Sequence, residues 1–493
     1  MNRILATVLV VLSSAVVLVL EVTVTRLAAP YAGDTLETYT AAIGVALAAI
    51  ALGSKLGGDA ADRRPPARLL GPLLIFGGGL TMLARPIVLA IGPPLTGAGP
   101  ITALLLVTSS IAAPAALLSA VTPVVVKTQL ADLERTGSTV GRISAWGTVG
   151  ALAGTFLTGY VLIAALPVSA VLLATGGALV LVGAVLLLRD GLPRGLRAGS
   201  AMAAVPVLGA GLLVATPSPC DAETAYYCAR VTADPERPTG RVLYLDDLRH
   251  GYVDTADPAH LEFAYTQWFA AAVDSYPHTA GDRPLTALHV GGGAFTMPRW
   301  LAATRPGSTS EVLEVDPAVT ELAREELGLR TGPELVVREG DARIGITEAA
   351  TDGFDVIVGD AFGGLSVPWH LATAEFTAEV DRALRADGLY VVNVIDRGPR
   401  DFLAAEVATI ATVFEHVALV ADRGGLDGET GGNHVIAAAH RPIDPAALDA
   451  AVAGLGHPGE VAGPDRLTAW AERGQVLTDD HAPVDQLLTP YLS

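Results

Sequence analysis

The sequence predicts a multi-span α-helical membrane domain followed by an α/β domain built on a parallel, doubly wound sheet. Three observations carry this: apolar residues concentrate before position 218, charge divides unequally between the halves, and beyond residue 230 short apolar strands alternate with amphipathic helices. Of 493 residues, 51% are hydrophobic and 17% charged, too apolar a balance for an ordinary soluble chain. Residues 1–217 carry 13 basic and 8 acidic side chains and the remainder 19 and 43, for net charges of +5 and −24. Neither half shows the basic footprint that a phosphate backbone requires, so nucleic acid is excluded as a partner. The 2 cysteines are too few for a disulfide framework or a cysteine-built metal centre, and no metal is expected. The domains follow as 1–217, a linker over 218–240, and 241–493.

Crossing about 30 Å of hydrocarbon takes ~20 helical residues. Apolar stretches of that order run over 4–26, 39–56, 69–91, 101–126, 143–165, 167–188 and 198–216. The first is kept as a span because Glu21 and Arg26 stand where a signal peptide would need small residues for cleavage. Lys and Arg collect on the cytoplasmic side of short loops. Arg3, then Arg63, Arg64 and Arg68, then Lys127, Arg135 and Arg142, then Arg189, Arg194 and Arg197 all fall on one side, with Arg85 the exception. The opposite loops carry Asp34 and Glu37. The N-terminus therefore reads as cytoplasmic and residue 218 onward as outside, in a multi-pass protein of the cell membrane. Cys220 and Cys228, just past the last span, suit a small disulfide-closed loop in that compartment, with two unpaired thiols as the alternative. Glu21 and Arg26 are costly in lipid and are expected to pair or to face the bundle interior, an interfacial Arg26 being the alternative. Gly53, Gly57 and Gly58 allow close helix approach.

In the second half, strands are predicted over 241–245, 285–290, 311–315, 335–339, 354–359 and 390–394, and helices over 259–273, 297–304, 317–327 and 375–384. Such alternation implies helices covering a parallel sheet, with the chemistry at the carboxyl ends of its strands. The strand ending at Val290 runs into Gly291, Gly292 and Gly293, a turn where the backbone comes close to a ligand and a helix begins facing it. The spacing is not G-x-G-x-x-G, which disfavours a nicotinamide cofactor. The next strand ends in Glu314, placed to accept from both hydroxyls of a ribose. Asp341 follows the third, placed to accept from the amine of adenine, and Asp360 the fourth, ahead of Gly363 and Gly364.

These motifs resemble the spermidine synthase family, and more specifically its membrane-fused bacterial members, whose catalytic domain is Rossmann-like, of the S-adenosyl-methionine-dependent methyltransferase kind. Leu243 to Asp246 look like the family's opening hairpin, Leu261-Glu262-Phe263-Ala264-Tyr265 like its Asp-Glu-Phe-x-Tyr motif, and Leu477 to Pro483 like its C-terminal Thr-Asp-Asp segment. The resemblance implies a membrane-anchored transferase of polyamine biosynthesis that moves an aminopropyl group from decarboxylated S-adenosyl-methionine to a small amine. Asp360 would be its base, Tyr265 would position the amine, and His250, Glu262, Asp479 and Asp480 would line the amine side. Gly291, Gly292, Gly293, Glu314 and Asp341 would hold the nucleoside. Three departures stand out. Ala294-Phe295 replaces the family's Asp-Gly, Gly363 replaces the second acid of its Asp-Ser-Ser-Asp motif, and His250 stands where a Gln is usual. Loss of that acid disfavours putrescine, a diamine that wants two acidic contacts. A methyltransferase using S-adenosyl-methionine itself and a non-enzymatic nucleoside-binding or transport module are the alternatives. Membrane lipid is the expected surrounding partner, a homodimer is left open, and His370 is read as structural as readily as functional.

Overall fold

The computed structural model describes residues 1–33, 36–95, 100–130, 136–190, 196–364, 366–457 and 459–488. Asp34, Arg135 and Arg194 of the charge argument lie outside the described residues, and the side chains of Glu37 and Arg197 are likewise not described. The chain divides into two compact units, Met1–Cys228 and Ala229–Leu492.

The first unit is a helical bundle. Among the described residues six helices are long and apolar enough to cross a membrane, namely Arg3–Ala32, Thr38–Arg63, Ala67–Leu95, Ile101–Gln129, Thr136–Ala165 and Val168–Arg189. Seven spans are expected from the sequence, and the seventh apolar stretch, Met202–Ala215, is shorter. It is nonetheless a bundle member, because Gly79 and Gly209 let the two backbones meet: a Cβ on Gly209 would lie 2.5 Å from the Gly79 carbonyl oxygen. Gly53 and Gly57 serve the same end, since a Cβ on either would strike the backbone of Ala116 or Ala120. Gly58 faces open space and takes no part in this approach.

Bonds between distant segments fix the two ends of the bundle. At one, Lys127 pairs with Asp62 at 2.7 Å and Gln129 donates to the Met1 carbonyl at 3.0 Å. At the other, Arg85 Nη1 donates to the carbonyls of Thr216 (2.8 Å) and Leu213 (3.4 Å), which satisfies the C-terminus of the last helix. Arg26 does not pair with Glu21; its guanidinium donates to the carbonyls of Tyr226 and Thr224, the latter at 2.6 Å. Those carbonyls belong to a loop closed by the Cys220–Cys228 disulfide. Glu223, in the same loop, accepts from the Val168 amide at 2.8 Å and caps the helix that begins there. Residues 218–240, read as a linker, are thus structured: they contain strand β1 (Ala222–Glu223) and β2 (Cys228–Ala233).

In the second unit β2 leads an antiparallel meander through β3 (Gly240–Leu245) and β4 (Leu248–Asp254). The helix expected over 259–273 begins later, at Ala264–Ser275, because Phe263 is extended and leaves Leu261 and Glu262 ahead of the first turn. The main sheet then forms from β5 (Thr286–Val290), β6 (Thr309–Glu314), β7 (Leu335–Glu339), β8 (Phe354–Gly359), β9 (Leu384–Asp396), β10 (His416–Ala421), β11 (Gly432–Ala439) and β12 (Glu460–Val461). Its order is β12-β10-β11-β9-β8-β5-β6-β7. The five strands β9-β8-β5-β6-β7 run parallel, as the βα alternation predicts, whereas β11, β10 and β12 are antiparallel additions. Strand order reverses at β5, which β6 and β8 flank. A crevice at the carboxyl ends of β5 and β8 is where such sheets take ligands.

The core on both faces of this sheet is apolar, but the helix Asp401–Ile410 buries Glu406, which is 5% exposed with Oε1 unpartnered. Burial pushes its carboxyl up to about 8. The folded state then keeps a proton that the unfolded chain releases near pH 4.5, so stability falls as pH rises between those values. Glu406→Met should flatten that decline and add about 1–3 kcal/mol at pH 8, read by unfolding the full chain in detergent across pH.

Candidate active site

The site is assembled where β5, β6 and β8 end. Gly291 has φ 96°, and a Cβ there would lie 2.4 Å from the Asp360 carbonyl oxygen, so only glycine lets the two turns touch. Asp360 N donates to Val290 O at 2.9 Å and stitches them further, while Gly291 N donates to Leu313 O at 3.0 Å and ties the glycine turn to β6. Phe295, where the family has glycine, is held left-handed at φ 57° as the N-cap of the helix Thr296–Thr304. Full burial of its ring offsets that strain. Ala294 fills the position of the family's Asp and packs on Gly251, where an added Cβ would lie 2.5 Å from the Ala294 Cβ.

Glu314 is 7% exposed, and every oxygen is bonded. Oε2 accepts from Gly292 N at 2.8 Å and Gly293 N at 3.1 Å, and Oε1 accepts from Asp316 N at 2.9 Å. Burial pushes its carboxyl up while these backbone donors pull it back. The acid expected to grasp a ribose therefore also shapes the glycine turn. Asp341 caps the helix Ala342–Glu348 by accepting from Arg343 N at 2.8 Å, and its other oxygen lies 3.2 Å from His370 Nε2. His370 thus occupies the acceptor expected for adenine.

Asp360 stands at the end of β8, beside the glycine turn. Its Oδ2 accepts from the Tyr265 hydroxyl at 3.1 Å and its Oδ1 from Asn393 Nδ2 at 3.0 Å. Burial pushes the carboxyl up to about 6, against the pull of those two donors. Tyr265, in edge contact with Phe269, is raised well above a free phenol by burial and by the Asp360 charge, so it stays a donor. His250 lies beside the glycine turn, its Cδ2 3.5 Å from where a Gly293 Cβ would be, and burial lowers it to about 4, which keeps it neutral at pH 7.

Three sequence-predicted substrate contacts are engaged elsewhere or turned to solvent. Glu262 bonds to His260 at 3.1 Å. Asp479 is spent on Arg343 at 2.6 Å and Thr373 at 2.8 Å, which tether the C-terminal segment rather than leave a free carboxylate, and Asp480 is exposed in the Thr478–His481 turn. Sequence reasoning missed Asn393, which also donates to Asn433 Oδ1 at 3.0 Å and whose own Oδ1 is buried without a partner. The available signal is one amide in the apolar run Tyr390-Val391-Val392-Asn393-Val394. Since its N–H lowers the Asp360 carboxyl, Asn393→Leu should raise it, and the acidic limb of any Asp360-dependent rate should move to higher pH; a pH–rate profile of both proteins checks this.

No protein-family model matches the chain. A polyamine aminopropyltransferase of Vibrio vulnificus is 33% identical over 134 residues, which is 27% of this chain and 44% of the relative. One of Moorella thermoacetica is 30% identical over 161 residues, covering 31% of this chain and 51% of the relative. The chain thus spans about half or less of the length of the curated relatives it matches. Among solved structures it is similar to a probable spermidine synthase from Corynebacterium glutamicum, at 28% identity and a TM-score of 0.49, over 54% of this chain and 96% of that one. Spermidine synthase from Thermotoga maritima gives 20% identity and a TM-score of 0.35, over 49% and 79%. Over 134 to 161 residues the chain is thus similar in sequence to polyamine aminopropyltransferases.

Proposed function

We propose that the chain is a membrane-anchored aminopropyltransferase that uses decarboxylated S-adenosyl-methionine. One observation carries the reading: the half-buried carboxylate of Asp360 is held by a phenol and an amide, on a residue whose backbone abuts the glycine turn that Glu314 braces. In the reaction the amine nitrogen attacks the aminopropyl carbon bound to the sulfonium, and the carbon–sulfur bond breaks with its electron pair passing to sulfur. The amine proton passes to Asp360. A carboxyl near 6 suits this, being ionised at neutral pH yet more basic than an exposed aspartate. Gly363 leaves Asp360 without the family's second acid, which favours amines with one cationic end over putrescine. Ala294 leaves the region of the cofactor tail without the family's carboxylate, so S-adenosyl-methionine itself is the second donor to test.

The test is release of the thioether nucleoside by the full chain in detergent, with either donor, against a panel of amines. Product from the decarboxylated donor supports the aminopropyl reading, and product from the intact donor alone supports methyl transfer. No product from either, with nucleoside binding demonstrated, would leave only a binding module. Arg3, Arg63, Arg64 and Lys127 gather at the end marked by the Lys127–Asp62 pair, which supports a cytoplasmic N-terminus. The disulfide at the other end supports an exported second unit. A C-terminal reporter active in one compartment only decides that side.

A further inference from the structure

The carboxylate of Asp360 orients two amides in turn. Asn393 Nδ2 donates to Asp360 Oδ1 and to Asn433 Oδ1, both at 3.0 Å. An ionised carboxylate only accepts, so Asn393 turns its nitrogen and not its oxygen toward Asp360. Both N–H groups of that nitrogen are then spent, one on each acceptor. Asn433 in turn presents its oxygen, because a flipped amide would set two donors against each other. What is left over is the Asn433 nitrogen: among the described residues its N–H groups have no partner, and the side chain is half-buried. The strands put it at the edge of the sheet where Asp360 stands. Asn433 lies opposite Ile395 and Val435 opposite Asn393, so the two asparagines are diagonal neighbours on one face. That face packs with Tyr265 through Val391 and Val435. β11 begins at Gly432, opposite the end of β9 at Asp396, so Asn433 sits at the carboxyl end of β9, one amide removed from Asp360.

We propose that Asn433 selects the acceptor, an amino alcohol whose amine lies at Asp360 while its hydroxyl oxygen accepts from Asn433 Nδ2. An ammonium carries only donors and cannot meet an N–H group, whereas a hydroxyl oxygen accepts. A carboxylate accepts too, but it would face the charge of Asp360. The side-chain bonds of Asp360, Asn393 and Asn433 go to one another and to Tyr265, with no cation among them to offset that repulsion. The inference rests on the aminopropyltransferase reading and names its substrate class.

The experiment is release of the thioether nucleoside from decarboxylated S-adenosyl-methionine by the full chain in detergent, with aminobutanol, pentylamine, putrescine and γ-aminobutyrate as acceptors. These share a primary amine and differ at the far end, which is hydroxyl, methyl, ammonium or carboxylate. Aminobutanol should lead the other three by about tenfold in kcat/KM, the worth of one hydrogen bond. Asn433→Leu should erase its preference over pentylamine, through KM rather than kcat. Asn433→Asp keeps an oxygen for Asn393 Nδ2 and adds a charge, so it should raise kcat/KM for putrescine about tenfold, a gain that a misfolded chain cannot give. Putrescine or γ-aminobutyrate leading in the wild type, or an unchanged preference in Asn433→Leu, overturns this inference and leaves aminopropyl transfer standing. If no amine yields thioether, calorimetry of aminobutanol on the chain loaded with the thioether nucleoside separates the two. Binding about tenfold weaker in Asn433→Leu keeps the hydroxyl site while the transfer reading falls, and equal binding ends both.

Discussion

Asp360→Asn should lower turnover by about 10² to 10⁴ while nucleoside affinity stays within a few-fold. The amide keeps the shape of the carboxylate and can still accept from Tyr265 at Oδ1 or from Asn393, but it takes no proton from an incoming amine, and general-base contributions are of that size. Binding should be spared because Glu314 and Asp341, the acids proposed to hold the nucleoside, belong to other strand ends, and their hydrogen bonds go to partners other than Asp360. Equal losses in kcat and kcat/KM would locate the defect in the transition state. The wild-type rate should fall below pH 6, where Asp360 binds a proton, and the Asn variant should lack that limb. A variant that retains both the rate and the limb would remove Asp360 from the chemistry. Gly363→Asp is the complementary gain: a Cβ at Gly363 meets only the Ser366 carbonyl oxygen, at 3.9 Å, so there is room for the missing acid, and putrescine should become a better acceptor.

The legible parts of this molecule are those where one residue property decides the outcome. Strand tips were readable because β5 and β8 are largely apolar runs that end abruptly in Gly291 and Asp360, and the Val312-Leu313 pair of β6 ends in Glu314. The parallel order followed from the intervening helices. The antiparallel strands β10 to β12 were not readable, since their apolar runs carry no sign of direction and their pairing depends on contacts distant in sequence. Asp479 illustrates a second limit. Its motif matched, yet Arg343, 136 residues away, claims the carboxylate, and nothing local in the sequence announces that pair. Arg85 illustrates a third. As a charge it broke the loop rule, and only the folded bundle shows that it is a cap for the Leu213 and Thr216 carbonyls. Asn393 lay in plain view as a polar residue in an apolar strand, but its meaning required the 3.0 Å bond to Asp360.

Glu314→Ala should weaken binding of an adenosyl nucleoside by about 10²-fold, more than removal of a single ligand contact would. Two losses combine. The first is the acceptor for the ribose, a charge-assisted pair of roughly 1.5–3 kcal/mol, or at least tenfold. The second is the brace: Gly292 N, Gly293 N and Asp316 N all donate to this carboxylate, and without it three amides must find water or a new conformation. A glycine turn that has lost its brace no longer presents a preformed surface, so ordering it is charged to binding. Glu314→Gln separates the two, because its carbonyl oxygen keeps one set of backbone donors while the charge disappears; it should fall between wild type and Ala. Asp341→Ala should cost less, about tenfold, since its oxygens serve a helix cap and His370. Calorimetry with the thioether and sulfonium nucleosides on the full chain measures all three. Wild-type affinity in Glu314→Ala would mean that the nucleoside does not sit at the end of β6, and the assignment of the whole crevice would fall with it.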